Sequence, residues 1–416
     1  MRPYVKEYDV VVIGGGAAGM MAGGVAASKG SRVVILEKNQ SLGEKLKITG
    51  GGRCNITNAE FELPALLAKY GKSEKFLYSP FSQFGVKDTF SFFESLGLPL
   101  VVQARNRAFP YTEKAIDVFN TLKKFIDQSG VIIENYCTVK KITHERGKVT
   151  AVQTNKGEFS AKSFILATGG VSHPETGSTG DGFIWLKELG HSVKTPTPSI
   201  VPLAVEQTWV KELAGVSLSF MKITFYLDGK KQFSKIGKVL FTHFGLSGPL
   251  ILNMATAVGD LLSEGEVTAK IDAYPDTDLG ALDQSITHTF DINKNKTLRT
   301  IFKYIVPAGM APSLQKLLAD IDFDTKVHSV SKENRKKIVN LLKNLPVTIT
   351  NLMGYDRAVI ADGGVALEEI DTKSMRSKLF QNLYIVGDLL NINRLSGGYS
   401  LQICWTSGYI AGSNLP

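Results

Sequence analysis

The sequence is poor in cysteine. Its three, Cys54, Cys137 and Cys404, lie far apart and form no CxxC pair. Neither a zinc knuckle nor a dithiol relay is signalled, and three free thiols are expected. No apolar run approaches the roughly eighteen residues of a membrane helix, so no membrane association is expected. No secretory leader is legible, because a strand-like segment begins within ten residues of Met1; a cytoplasmic location is expected. The sequence shows no internal repeat, no low-complexity tract, no Ser-His-Asp arrangement and no metal-ligating cluster, so no metal is expected. A second dinucleotide-type strand–glycine–helix unit is also missing, which argues against a separate NAD(P)H domain.

What charge there is lies unevenly. The net charge is +9, and residues 294–343 hold eleven Lys/Arg against four Asp/Glu. A solvated helical face is the expectation for that segment. Aromatic residues do not alternate with its cations as in RNA- or DNA-binding motifs, so nucleic acid is not an expected partner. The 416 residues, 43% hydrophobic and 21% charged, have the balance of a globular protein of two or three domains.

Glycine is plentiful, with forty residues, many of them clustered. Residues 9–37 read DVVVIGGGAAGMMAGGVAASKGSRVVILE. The β-branched run Val10–Ile13 predicts a buried parallel strand. Gly14, Gly16 and Gly19 follow as G-x-G-x-x-G, then small residues from Ala17 and Ala18 to Ala27 predict a helix. A second strand, Arg32 to Leu36, ends at Glu37 and Lys38. Here the first glycine permits a tight turn and the second lets backbone approach a pyrophosphate. The third lets helix and strand pack closely, with the helix N-terminus turned to the phosphates. Glu37, 23 residues after Gly14, can accept hydrogen bonds from ribose hydroxyls. An adenine dinucleotide is expected.

Two distant segments decide which. FILATGG (164–170) is an apolar strand running into Ala167, Thr168 and Gly169. LYIVGDL (383–389) is another, running into Gly387 and Asp388. With the N-terminal fingerprint they resemble the FAD-binding domain of glutathione-reductase-like flavoproteins. Extended FAD outreaches a single βαβ turn, and Asp388 could accept bonds from its ribityl hydroxyls. In SGGYSLQICWTSGYIAG (396–412), a helix is expected to begin at Gly398 or Tyr399, with Ser400 in its first turn. Its N-terminus would face the flavin O2/N1 edge and stabilise negative charge there.

Between the second strand and residue 58 the chain reads EKNQSLGEKLKITGGGRCNITN. Bare glycine at Gly43 and at Gly50 to Gly52 suits a loop that cradles the cofactor. Lys45 and Arg53 could supply charge near phosphate, Asn55 an amide, and Cys54 a flavin-face thiol or a packed small residue. Residues 131–159 predict antiparallel strands, with the Val139 backbone placed to meet adenine. Asp181, in GSTGDG (177–182), could bond the cofactor or cap the following helix. TPTPSIVP (195–202) reads as an exit linker. Arg105, Arg107 and Tyr111 could reach an active site from a loop, and His243 could bind substrate or move a proton.

GEKLKITGGGRCNITN, GSTGDG, LFTHFGLSGP (240–249), ADGGV (361–365) and GDLLNINRLSGGYSLQ (387–402) resemble the aminoacetone-oxidase-type FAD-binding family, the BaiN/YhiN-like NAD(P)/FAD-dependent oxidoreductases. These motifs span nearly the whole chain. The resemblance implies an α/β fold: a glutathione-reductase-like FAD-binding Rossmann domain with inserted β-barrel-like and small helical domains. The expected boundaries are 1–195 and 355–416 for the FAD domain, 196–275 and 344–354 for the barrel, and 276–343 for the basic helical part.

A flavin carries hydride chemistry while the protein supplies position and electrostatics. The expected cofactor is FAD, with NAD(P)H as a transient donor in one scheme. The first expected reaction oxidises a small amine or amino ketone of the aminoacetone kind, with hydride passing to flavin N5 and molecular oxygen becoming hydrogen peroxide. The second runs from NAD(P)H to an activated C=C bond. A third reading is a flavoprotein with an RNA- or ribosome-linked role that uses Arg335, Lys336 and Lys337. Arg53, Arg107, Tyr111 and His243 are the candidate catalytic residues.

Overall fold

The computed structural model describes residues 5–416, with side chains from residue 7 onward. The chain divides into two units, 1–198 with 359–416, and 199–358.

In the first unit the apolar run becomes β1 (Val5–Ile13). The small-residue stretch becomes α1 (Ala17–Ser28), and β2 (Val33–Leu36) follows. The two remote strands are β3 (Gly157–Leu166) and β4 (Leu383–Ile385). All pair in parallel: Ile13 lies opposite Leu36 and Leu166, and Leu166 lies opposite Ile385. Four carboxyl ends, at Ile13, Leu36, Leu166 and Ile385, therefore share one level of one sheet. Residues buried on both faces, such as Val11, Val12 and Ile35, explain the unbroken apolar runs.

The C-terminal helix α2 (Tyr399–Ser413) packs on α1. Contact is close because Gly408 and Gly412 face the α1 backbone, where an added Cβ would stand 2.6 Å from Ala18 O and 2.4 Å from Ala22 O. A buried polar network ties α2 to the segment after the triple glycine. Thr57 and Thr89 donate to Gln402 Oε1 (2.6 and 3.0 Å), and Gln402 Nε2 donates to Thr406. Trp405 Nε1 donates to Ile56 O at 2.9 Å.

Two segments differ from the sequence expectation. Within 131–159, the piece Ile132–Glu134 pairs in parallel with β2; only Val139–Glu145, Lys148–Thr154 and the start of β3 form the antiparallel meander. The proline-rich stretch belongs to a strand, Val193–Ser199, paired with Ile360–Val365. A two-stranded sheet uses one edge of each strand, so prolines without N–H are tolerated on the other.

His191 is buried at the start of that exit. Its Nδ1 lies 2.7 Å from Glu369 and its Nε2 3.0 Å from Ser377 Oγ. Ser377 Oγ accepts the amides of Leu379 and Phe380, so its own proton goes to Nε2 and the imidazole proton points to Glu369. Burial opposes charge on Glu369, but hydrogen bonds from Ser192 and His191 hold its carboxyl below the usual range. A lowered carboxyl pKa gives stability that is present above the unfolded value, about 4.3, and lost as pH falls through the folded one. Glu369→Gln is expected to cost about 1–3 kcal/mol near neutral pH, with a smaller deficit at about pH 4. Urea unfolding at the two pH values checks this, and an equal deficit at both would count against it.

In the second unit, six strands close a barrel: Leu203–Val205, Gly245–Ser247, Lys230–Thr242, Ser217–Leu227, Val267–Asp272 and Leu345–Leu352. The helices Leu279–Asp291, Leu298–Ile305, Ala311–Leu317 and Lys332–Lys343 share its apolar core, with Leu298, Ile301 and Phe302 joining Ile223 and Phe225. Among the described residues no helix is long and apolar enough to cross a membrane. The basic segment is partly neutralised. Arg335 makes a two-pronged pair with Asp283 (2.6 and 3.1 Å), and Lys337 meets Asp320 at 2.7 Å.

Candidate functional site

The aligned carboxyl ends open onto a cavity of about 500 Å³, within the size range of ligand sites. Ile13 and Gly14 to Ala18 form one wall, with α1 beginning at its edge. Glu37 and Lys38 stand at the end of β2, Val139 beside them, and Ala167 to Gly169 follow β3. Gly387, Asp388, Ser400 and Cys404 close the far side. The sequence thus brings its two ends together where the register requires.

Glu37 is held in place. Its Oε2 accepts Gly15 N–H at 2.9 Å and its Oε1 accepts Asn39 N–H at 2.8 Å. Lys38 donates to Asp181 (2.9 Å) and to Thr179, so the 176–181 loop is strapped to the end of β2. Asp181 is the first residue of the helix Asp181–Glu188, whose N-cap is Gly180. Its carboxylate faces Lys38 and Thr179, and these bonds outweigh burial to keep its pKa below the usual range. Thr168 Oγ1, on the wall, is buried without a partner.

Opposite, Lys45 Nζ reaches Ser172 Oγ (3.3 Å) and Asp388 Oδ2 (3.4 Å). Arg394 donates to Asp388 Oδ1, to Ile392 O and, at 3.1 Å, to Ser400 Oγ. Burial works against charge on Asp388, but Arg394 and Lys45 hold its carboxyl below the usual range. Burial pushes the Cys404 thiol up to about 12, so it stays protonated.

The triple-glycine loop divides at its middle. Gly43, Lys45, Gly50 and Gly51 line the cavity. All three glycines from Gly50 to Gly52 have positive φ (62°, 66° and 86°), a run that few other residues could sustain. Beyond Gly51 the chain turns away. Gly52 O accepts Ala115 N–H. Arg53 Nε donates to Glu113 at 2.7 Å, its Nη2 to Gln103, and its guanidinium lies over Phe109. Cys54 is fully buried, at φ 56°, with its thiol pushed far up by burial. Asn55 Oδ1 is buried without a partner. The carboxylate of Glu113, sixty residues on, draws Arg53 off the wall.

Gly19, Gly398 and Tyr399 support the wall from behind. Gly19 packs on Gly14 O, Gly398 lies against the Thr57–Asn58 backbone, and Tyr399 O accepts the Tyr70 hydroxyl at 3.0 Å. Arg105 and Arg107 sit at the turn of the Leu100–Gln103 and Arg107–Pro110 hairpin, and Tyr111 is 71% exposed. His243 is exposed in the other unit, at the turn before Gly245–Ser247, with its ring edge-on to Phe244. The four candidate catalytic residues are thus not gathered on the cavity wall. Sequence reasoning passed over Cys404 and Arg394. Cys404 lies one helical turn past Ser400, a spacing that could have marked it; nothing local marks Arg394 as buried.

Residues 8–414 match the family model described as "HI0933-like protein Rossmann domain". The chain belongs to that family. Among curated relatives of the HI0933-like chain, a 3-dehydro-bile acid Δ(4,6)-reductase of Clostridium scindens is 28% identical over 404 residues, 96% of this chain and 97% of the relative. A ribosomal RNA dihydrouridine synthase of Haemophilus influenzae is 27% identical over 404 residues, 96% of each. Among solved structures, the open conformation of a flavocytochrome c3 fumarate reductase aligns with a TM-score of 0.56 at 19% identity, covering 99% of this chain and 78% of that one. That likeness places the α/β fold among those of flavin oxidoreductases.

Proposed function

We propose that this HI0933-like chain, an FAD-dependent oxidoreductase, reduces a C=C bond conjugated to a carbonyl group, with NADH or NADPH as electron donor. The observation that carries the cofactor is the cavity at the four aligned strand ends. Its walls fit an extended dinucleotide. A Cβ added to Gly16 would meet nothing within 4 Å, so bare backbone faces open space at the N-terminus of α1. Thr168 and Asp388 line the same cavity. Gly14 to Gly16 would take the pyrophosphate, Glu37 the adenosine ribose and Val139 the adenine. Thr168 and Asp388 would take the ribityl chain, and Ser400 with the N-terminus of α2 the ring's polar edge.

When bound, FAD supplies the two-electron chemistry. The chain's own residues orient it, exclude water through the apolar wall of Leu46, Trp185 and Val386, and fix positive charge beside it through Lys45 and Arg394. The names of the two full-length relatives support the direction of reaction. A Δ(4,6)-reductase of a 3-dehydro compound and a dihydrouridine synthase both add hydrogen to a C=C bond in conjugation with a carbonyl.

Purified protein is expected to be yellow. Under argon, NADH or NADPH should bleach its visible band, and a conjugated 3-oxosteroid or a uridine-containing RNA should restore it. Whichever acceptor restores it identifies the substrate class. Bleaching by aminoacetone or another small amine, with NAD(P)H inert, would instead establish an amine oxidase and overturn the reductase reading.

A further inference from the structure

Lys45, Asp388 and Arg394 form a cluster that the G-x-G-x-x-G signature does not require. Lys45 and Asp388 are on the cavity wall, and Arg394 stands directly behind Asp388. The Arg394 side chain is only 2% exposed, yet its guanidinium has three partners: a carboxylate, a carbonyl and the Ser400 hydroxyl. Burying an arginine is costly, and an apolar residue of similar volume would pack as well or better. The carboxylate pairs with both cations, so two positive charges and one negative leave the cluster with one net positive charge. The first turn of α2, with Ser400 in it, adds its positive dipole end to the same place. Charge in a poorly solvated cavity is weakly screened and acts on whatever the cavity holds.

We infer that the Lys45–Asp388–Arg394 cluster sets the midpoint potential of the bound cofactor through its single net positive charge, to which Arg394 contributes from behind Asp388. The inference rests on the cavity being an FAD site. A net positive charge favours the form that gains electrons and the negative charge they bring, so removing one cation lowers the potential. Its size follows from the number of charges, not from the identity of the side chain that carries them.

The test uses the full-length holoprotein as Arg394→Gln, Arg394→Lys and Lys45→Gln. FAD content is measured first, and the midpoint potential is then read anaerobically against reference dyes. Arg394→Gln and Lys45→Gln are each expected to shift the reduction equilibrium at least tenfold toward the oxidised form, about 30 mV for a two-electron couple. Arg394→Lys is expected to stay near wild type. Lys45 is 28% exposed and makes only long contacts, so Lys45→Gln should fold even if Arg394→Gln does not. An unchanged potential in flavin-loaded Lys45→Gln would overturn the inference. So would a fall in Arg394→Lys as deep as in Arg394→Gln, which would mean packing matters and not charge. Folded Lys45→Gln without flavin would overturn it too, because the charge would then serve binding. If the wild-type protein takes up no FAD, the reading of the cavity fails instead, and that result is distinct from the others.

Discussion

Gly16→Glu should yield a folded, colourless protein. Gly16 has φ −79° and ψ −168°, an extended conformation open to any residue. A Cβ there would meet nothing within 4 Å, so the fold has room for a side chain. That room lies on the cavity wall, at the N-cap of α1. A glutamate would place a carboxylate where a pyrophosphate is proposed to sit, so two like-charged groups would compete for the same amides. A buried unpaired charge costs several kcal/mol, and every 1.4 kcal/mol is tenfold in affinity. FAD binding should weaken by about 100-fold or more. Unfolding of the flavin-free protein should move by no more than about 0.5 kcal/mol, as at an uncrowded position. Flavin titration and urea unfolding check the two halves. A variant that keeps its full complement of flavin would remove the pyrophosphate from this end of the cavity.

Gly19→Ala should do the reverse. Three residues further on, an added Cβ would stand 1.9 Å from Gly14 O. Both partners are backbone, one in a helix and one at the end of a strand, so neither can swing aside. Overpacking of this kind typically costs about 1–3 kcal/mol, and collision between two fixed elements belongs at or above the top of that range. The variant should lose about 3 kcal/mol or more of stability, measured as a lower urea midpoint, and should lose flavin only because it unfolds. A variant as stable as the parent would mean that α1 lies further from β1 than described. The two substitutions separate what a single glycine fingerprint combines: one glycine makes room for a ligand, the other for a helix.

The sheet was legible because its signals are local. Val10–Ile13, Val33–Leu36, Phe164–Leu166 and Leu383–Ile385 each carry a β-branched or apolar run that meets a glycine or an acid within three residues, and a parallel strand buried on both faces needs little more. The start of α2 was legible from Gly397-Gly398 and the small-residue pattern that follows. The side chains around the cavity were less so, because their directions are set by distant partners. Arg53 follows Glu113 across 60 residues and Asp181 follows Lys38 across 143; Arg394 differs, with Asp388 and Ser400 each six residues away, in a segment with no helix or strand period to mark the pairing. A charge in a loop looks the same in sequence whether it ends in water or in a core. The proline-rich exit read as linker for a related reason: its pairing partner, Ile360–Val365, is far along the chain, and proline hides the strand pattern.

The pairing of Leu166 with Ile385 also bears on how the protein is made. A ribosome adds roughly 5–20 residues each second. The partners are 219 positions apart, a stretch that takes on the order of 10–40 s to emerge. Throughout that interval β1, β2, Ile132–Glu134 and β3 exist without β4, and the face of α1 that will receive Gly408 and Gly412 lacks its partner. The nascent chain is open to mispairing for all of that time, and a chaperone or a slow-folding barrel in the intervening stretch would change the yield without touching a single residue of the finished cavity.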